Sequence, residues 1–311
     1  MNKTVTGLHH ITAIASDPKR NLDFYTTVLG LRFVKKSVNQ DDPGTYHLYY
    51  GDYGASPGTI MTFFPWAGIA RGRPGTGQAY ATAFSVPFGS LAFWREHLTK
   101  LGVPHGSTEV RFDDEVVSLN DPDGLHLELI ATKEDDRRMP APSADVPANF
   151  AIRGFHSSTL ALKDDQPTAD LLVNGMSYIL VGKSGHRARY TIGAGGPGTY
   201  VDLLTEPSLP RAINGAGTVH HIAFRIVDGK NQEAAQARLQ QLGLDVSPII
   251  DRAYFKSIYY REPGGVLFEI ATDGPGFAID EPLADLGTKL SLPPRLEPHR
   301  QAIAAALPPL T

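Results

Sequence analysis

No cysteine occurs among the 311 residues. That absence excludes disulfides, thiolate nucleophiles and Cys-ligated zinc or iron–sulfur centres, so any metal has to sit on His, Asp and Glu. Long apolar runs are lacking too. Nothing approaches the roughly 18 residues of a membrane span, and the opening "MNKTVTGLHH" has no apolar h-region, which leads to the expectation of a cytoplasmic protein with no membrane partner. Neither sign of charge dominates. With 29 basic and 33 acidic residues the net charge is -4, without the basic footprint that nucleic acid or an anionic membrane would require. What the chain does have is 41% hydrophobic residues, which in a chain of this length can bury sizeable cores.

An internal repeat is the dominant pattern. "NLDFYTTVLGL", "LAFWREHLTKLGV", "TADLLVNGM" and "NQEAAQARLQQLGL" each read as an amphipathic helix running into a glycine, at Gly30, Gly102, Gly175 and Gly243, with spacings of 72, 73 and 68. Glycine just past a helix end supplies the left-handed conformation that closes the last turn. The first helix also shows its start, with Asp17 as N-cap and Pro18 in the first helical position. A strand candidate precedes each helix ("HHITAIA", "YATAFSV", "FHSSTLAL", "HHIAFRIV"). Two or three more follow, closing with "TIMTFF", "LHLELIA", "YVDLLT" and "LFEIA". The repeat is therefore a βαβββ unit of about seventy residues, present four times.

Such paired units resemble the vicinal oxygen chelate superfamily, which holds glyoxalases, fosfomycin and bleomycin resistance proteins and extradiol dioxygenases. The resemblance implies an α+β fold of two glyoxalase-like domains with cup-shaped mixed sheets and a metal at the base of a cup. It divides the chain into an N-terminal domain at 5–145, a C-terminal domain at 150–280 and a Pro-rich tail at 281–311. The tail reads as a surface segment with one short helix, "EPHRQAIAAAL", and no evident chemistry.

Two passages begin with His-His-Ile: "LHHITAIASD" and "VHHIAFRIVD". Neighbours on a strand point to opposite faces, so only one histidine of each pair is expected to face a cup. His220 shares its face with the apolar Ile222, Phe224 and Ile226, and His9 shares its face with Ile11 and Ala13. His221 and His10 are then the cavity-facing candidates. The closing strands "LNDPDGLHLELIAT" and "YREPGGVLFEIATD" align without a gap, setting Glu128 and Glu269 at equivalent positions; in the superfamily a carboxylate there binds the metal. Unit one closes on Met61 and Thr62, unit three has Ser157 in place of a histidine, and unit two has Thr82 or a near neighbour there. One metal site is expected, on His10, His221 and Glu269. Units one and four must then share a cup, leaving Glu128 as a remnant in the other. Two imidazoles and one carboxylate form the facial triad associated with non-haem Fe(II) oxygen chemistry.

Within the superfamily, "TGLHHITAIASD", "FYTTVLGLRFVKKSVNQDDPGTYHLYYGD", "GTVHHIAFRIVD" and "SIYYREPGGVLFEIATD" are similar to dioxygenases that open hydroquinones. That similarity implies a metal, Fe(II) or alternatively Mn(II), on His10, His221 and Glu269. It sets Tyr259, His220 and Arg252 as catalytic residues and His9 and Thr12 against the substrate. The implied partners are a small aromatic substrate and O2, and a homo-oligomer is compatible with it. Two alternatives use the same fold. A glyoxalase-type isomerase or lyase usually needs a second carboxylate at the metal, and a sequestering resistance protein typically lacks the ligands.

Overall fold

The computed structural model describes residues 5–310; residues 1–4 and Thr311, the last residue of the tail, lie outside the described residues. All four units are present. Unit one comprises β1 (Leu8–Ala15), α1 (Pro18–Asp23), β2 (Arg32–Val38), β3 (Tyr46–Gly51) and β4 (Ile60–Pro65). Unit two comprises β5 (Gln78–Pro87), α2 (Leu91–Lys100), β6 (Glu109–Arg111), β7 (Asp114–Asn120) and β8 (His126–Thr132). Unit three has β9 (Gly154–Leu162), α3 (Gln166–Asp170), β10 (Ile179–Ser184), β11 (Arg187–Thr191) and β12 (Tyr200–Thr205). Unit four has β13 (Thr218–Ile226), α4 (Gly229–Gln241), β14 (Ile250–Asp251), β15 (Phe255–Arg261) and β16 (Leu267–Pro275). Among the described residues no helix is long and apolar enough to cross a membrane.

The helix signals act as physical chemistry requires. Asp17 accepts a hydrogen bond from the Arg20 amide at 2.8 Å, satisfying a donor that the first turn leaves free. Gly30, Gly102 and Gly243 adopt φ of +67°, +70° and +83°, closing their helices as expected. Unit three departs from the pattern. There α3 widens into a π-helical turn, Leu171–Gly175, as α1 does over Phe24–Val28, but the left-handed residue is Ser177 at φ +65°. Gly175 serves packing instead, because a Cβ on it would lie 2.7 Å from Leu171 Cδ1.

The sixteen strands form two eight-stranded mixed, curled sheets. Their orders are β14-β15-β16-β13-β1-β4-β3-β2 and β10-β11-β12-β9-β5-β8-β7-β6. Units one and four share the first sheet, joined by antiparallel pairing of β1 with β13, and units two and three share the second through β5 and β9. Residues 5–145 and 150–280 therefore each contribute one unit to each sheet. The apolar faces of the central strands, including Ile11, Ile222, Phe224 and Phe268, are buried in the main core.

The tail, expected as a plain surface segment, is built onto the first sheet. Leu290 bridges to Lys36 beside the edge strand β2, the Ser291 amide donates to the Lys36 carbonyl at 2.8 Å, and Ser37 Oγ donates to the Ser291 carbonyl at 2.8 Å. Lys35 Nζ is wholly buried between Asp280 Oδ1 (2.6 Å) and Glu281 Oε2 (2.5 Å). A buried ammonium is tolerable only when paired, so these two acids commit the tail to this course. The expected helix is α5 (Arg300–Ala306), entered through a 3-10 turn.

Candidate metal centre

The central strands of the first sheet bring three side chains to one point. Thr12 on β1 pairs with His221 on β13, His10 pairs with Ala223, and Ala223 pairs in parallel with Glu269 on β16. Two strand boundaries thus separate His10 from Glu269, and all three side chains share the concave face. His10 Nε2 and His221 Nε2 are 3.4 Å apart, and Glu269 Oε2 lies 3.3 Å from the first and 2.9 Å from the second. Ligand atoms bound at about 2.1 Å to one ion stand about 3.0 to 3.4 Å from each other in octahedral or tetrahedral arrangement. The triangle therefore fits a single divalent cation.

Glu269 supplies the second test of that fit. Its carboxylate is wholly buried; Oε1 accepts from the Ser257 hydroxyl, but Oε2 has no hydrogen-bond partner, the His221 nitrogen being close yet out of line. Burial alone would raise its pKa. His10 and His221 outweigh that and hold the carboxyl well below the ordinary range, so it is an anion in a dry place. A buried carboxylate oxygen with no donor is costly, and a cation at the centre of the triangle removes that cost. The set His10, His221 and Glu269 is the one group of three or more such side chains, among the described residues, whose ligand atoms converge closely enough to hold a metal ion.

Each candidate ligand histidine is oriented by its neighbour. His9 Nδ1 lies 2.9 Å from His10 Nδ1, and His220 Nδ1 lies 2.8 Å from His221 Nδ1. Regular strand neighbours cannot meet in this way. The ladder shifts by one between Leu8 and His10 on one side and between Thr12 and Ala13 on the other, leaving His9 and His220 as the extra residues of two β-bulges. A bulge re-aims a side chain, here turning both rings of each pair toward one side. The expectation that only one histidine of each pair faces the cup therefore fails for His220, which lines the cavity with His221. His9 is almost fully buried behind His10, and burial followed by the nearby His10 pushes its pKa down to about 3. Burial and His221 likewise hold His220 at about 3, so both orienting rings are neutral.

The cavity above the three atoms has a volume of about 280 Å³. Phe64, Trp66 and Phe255 give it aromatic walls, and Phe255 packs 4.9 Å from the His10 ring. Tyr259 and Arg252 stand at its rim, where Arg252 Nε donates to the Tyr259 hydroxyl at 3.1 Å. Burial, then Glu269, raises the Tyr259 pKa, so it remains a phenol. Thr12 does not reach the cavity: it is fully buried, 2.8 Å from Thr62 Oγ1. Sequence reasoning missed His47 and Tyr49, which line the cavity and hydrogen-bond each other at 2.7 Å, while His47 Nε2 meets Thr62 Oγ1 at 2.9 Å. Their signal was the alternation of "YHLYY", which puts 47 and 49 on one face.

The second sheet repeats the framework without the ligands. Register gives Ala81 and Ser157 as the counterparts of His221 and His10, since Ala83 pairs with Glu128 as Ala223 does with Glu269; Thr82 is on the other face. Asp202 pairs with Thr159 and is a further acid at the closing-strand position. Both carboxylates are taken by arginines. Arg111 Nη1 holds both Glu128 oxygens at 2.8 Å, and Arg189 grips Asp202 at 2.9 and 3.1 Å. This cup is closed by ion pairs.

Two paired-unit sheets, one of which holds a His, His, Glu cluster fit for a divalent ion, define a class of cup-shaped proteins with one candidate metal centre. The chain belongs to the glyoxalase/bleomycin resistance protein/dioxygenase superfamily, whose family model matches residues 7–129 and 161–270. It is 48% identical over 309 residues to the "Putative ring-cleaving dioxygenase MhqO" of Bacillus subtilis (strain 168), covering 99% of this chain and 98% of that one. It is 37% identical over 300 residues to the "Chlorohydroquinone/hydroquinone 1,2-dioxygenase" of Sphingobium indicum, covering 94% and 93%. A crystal structure titled as a putative dioxygenase from Bacillus subtilis superposes with a TM-score of 0.95 at 48% identity, covering 99% and 98% of the two chains. Glyoxalase I from Zea mays, at 15% identity and TM-score 0.64 over 86% and 92%, shares the fold.

Proposed function

We propose that the chain is a ring-cleaving dioxygenase of extradiol type that opens a hydroquinone or catechol with O2 at a metal held by His10, His221 and Glu269. The observation that carries this reading is the triangle of Nε2, Nε2 and Oε2 atoms at 2.9 to 3.4 Å, whose Oε2 corner is a buried oxygen with no hydrogen-bond donor. The names borne by relatives along almost the whole chain support it. Two imidazoles and one carboxylate suit Fe(II), with Mn(II) as the alternative, and when bound such an ion supplies the one-electron chemistry that lets dioxygen react with an electron-rich ring. Thr62, which pairs with Thr12 as Glu269 does with Ala223, stands where a second carboxylate would be. That favours an oxygenase over a glyoxalase-type isomerase.

The residues around the triangle have separable tasks. For Nε2 of His10 and His221 to present lone pairs, each Nδ1 must carry its proton and donate it to the neighbouring ring, His9 or His220. His220, neutral and accepting at Nδ1, then carries its own proton on Nε2 and is a donor. Tyr259 is a donor as well: Arg252 occupies a lone pair of its oxygen, and the hydroxyl proton remains free to serve an oxygen atom of the substrate. Arg252 adds positive charge where ring opening develops negative charge. Phe64, Trp66 and Phe255 hold an aromatic ring and exclude water.

The test is O2 uptake by protein loaded anaerobically with Fe(II), across a panel of hydroquinones and catechols. Stoichiometric uptake with both atoms of ¹⁸O2 in the opened product is the expected result. Substrate isomerisation without O2 uptake would overturn it.

A further inference from the structure

The metal cavity opens outward into a larger chamber. The inner space is about 280 Å³ and the outer about 760 Å³; Gln40, Asp41, Tyr49 and Arg252 border both. A cavity on the order of 150 Å³ is enough for one benzene-sized ring. The inner space therefore takes one ring together with the ion and dioxygen, and a substituent longer than an atom or two has to pass out beside Tyr49 and Arg252.

One wall of the outer chamber is closed by the tail and the segment that leads into it. Ile279, Leu292 and Pro293 from residues beyond β16 face Val38 and Ile250 from the sheet. The wall is fixed: Ser291 is bonded to Lys36 and Ser37, Asp280 and Glu281 clasp the buried Lys35, and Arg295 Nη2 donates to the Gln40 carbonyl at 2.6 Å, at the junction of the two chambers. The charged groups of the chamber are engaged with protein. Arg252 donates to Tyr259, Arg295 to Gln40, Asp280 accepts from Lys35 and Tyr254, Asp251 accepts from the Ala253 amide at 2.7 Å, and Asp41 lies 3.8 Å from Arg252. The two arginines stand at the inner end, against Tyr259 and Gln40, while the outer part is apolar: Ala253 and Pro294 join the five side chains named above.

We propose that this chamber is a subsite for a substituent of the ring, and that the substrates it selects are ring diols bearing an apolar side chain of several carbons. The ring lies against Phe64 and Phe255, and the chain against Ile250, Ile279 and Leu292. The proposal rests on the ring-cleaving reading for the identity of the ring, and on the two volumes and the apolar wall for the substituent.

The experiment compares hydroquinone with pentylhydroquinone on the full-length, metal-loaded protein, by anaerobic titration calorimetry and by O2 uptake. Each fully buried methylene is worth about fourfold in affinity, so even partial burial of five carbons gives at least a tenfold preference for pentylhydroquinone. Ile279→Trp, which fills the chamber from a half-exposed position, and Ile279→Glu, which makes it polar, are expected to abolish that preference. Affinity and turnover with hydroquinone should stay unchanged in both. Equal binding of the two compounds by the unaltered protein, or variants that weaken both compounds equally, would overturn the subsite. If neither compound supports O2 uptake, the ring-cleaving reading fails by itself. The calorimetric preference and its loss in the variants would then still support the subsite, and absence of preference would overturn it.

Discussion

His9 is out of register with the strand beside it, and its Nδ1 meets the Nδ1 of His10 at 2.9 Å. On a regular strand these two rings would point to opposite faces. The one-residue bulge turns a pair of sequence neighbours into a donor and an acceptor, and the same device recurs at His220 and His221. Tyr80 and His156 are the extra residues at the corresponding places of the second sheet. The bulge thus belongs to the framework of the unit, and only the first sheet equips both of its bulges with histidine beside a histidine. Replacing His9 by Ala should leave the fold intact by circular dichroism while lowering metal affinity by roughly 10- to 100-fold, the usual cost of losing a partner that orients a ligand. His220→Ala should match it. Unchanged affinity in both would mean that the imidazoles are oriented by something else.

Removing a member of the triangle itself should have a larger effect. His10→Ala, His221→Ala and Glu269→Ala are each expected to lower metal content from about one equivalent per chain to a trace and to abolish turnover, read by elemental analysis and O2 uptake. Glu269→Gln keeps shape but not charge, and should also fail, because an amide cannot replace the buried anion facing a cation. Retention of metal and turnover by Glu269→Ala would remove the carboxylate from the site.

Glu128 tests the second cup. It is nearly fully buried; burial alone would raise its pKa, but His126, Arg111 and Arg187 outweigh this and hold it at about 2. A carboxyl depressed in the folded state stabilises above its ordinary pKa, and that contribution disappears as pH falls toward the folded value. Glu128→Gln should therefore cost about 2 to 4 kcal/mol at neutral pH, since Arg111 is left half-buried without its anion. The difference from the unaltered protein should shrink as pH falls from about 4.5 toward 2, followed by denaturant titration. Metal content should stay the same. Loss of metal in this variant would make the second cup a working site.

The convergence of His10, His221 and Glu269 was legible because it is written in rare, repeated words: His-His-Ile twice, and an acid after an Asp/Glu-Pro-x-Gly turn. The bulges were not, since one extra residue in a ladder leaves the apolar alternation of Ile222, Phe224 and Ile226 intact and reveals itself only in the pairing partner. Asp202 was hidden for a related reason, because "YVDLLT" lacks the turn that aligned Glu128 with Glu269. Cavity aromatics such as Phe64 and Phe255 have the same spacing as core aromatics. The tail's place was invisible because it depends on Lys35, a lysine in a strand whose burial no local pattern announces.

The order of the units in space yields the last prediction. β1 is bonded to β13 along most of its length, and β5 to β9, so cutting the chain between residues 145 and 150 splits both sheets down the middle. A fragment of residues 150–311 would carry His221 and Glu269 with β13 exposed as an unpaired edge, and would lack the His10 imidazole. Exposed apolar edges aggregate, and two ligands hold a divalent ion far less tightly than three. The isolated fragment is expected to be poorly soluble, to bind metal weakly and to turn over nothing. Co-expression with residues 1–149 should restore a soluble complex with about one metal per pair, because each half supplies the strand that the other lacks. Full metal affinity and ring cleavage by the C-terminal half alone would exclude His10 from the centre, and would require a ligand set drawn wholly from units three and four.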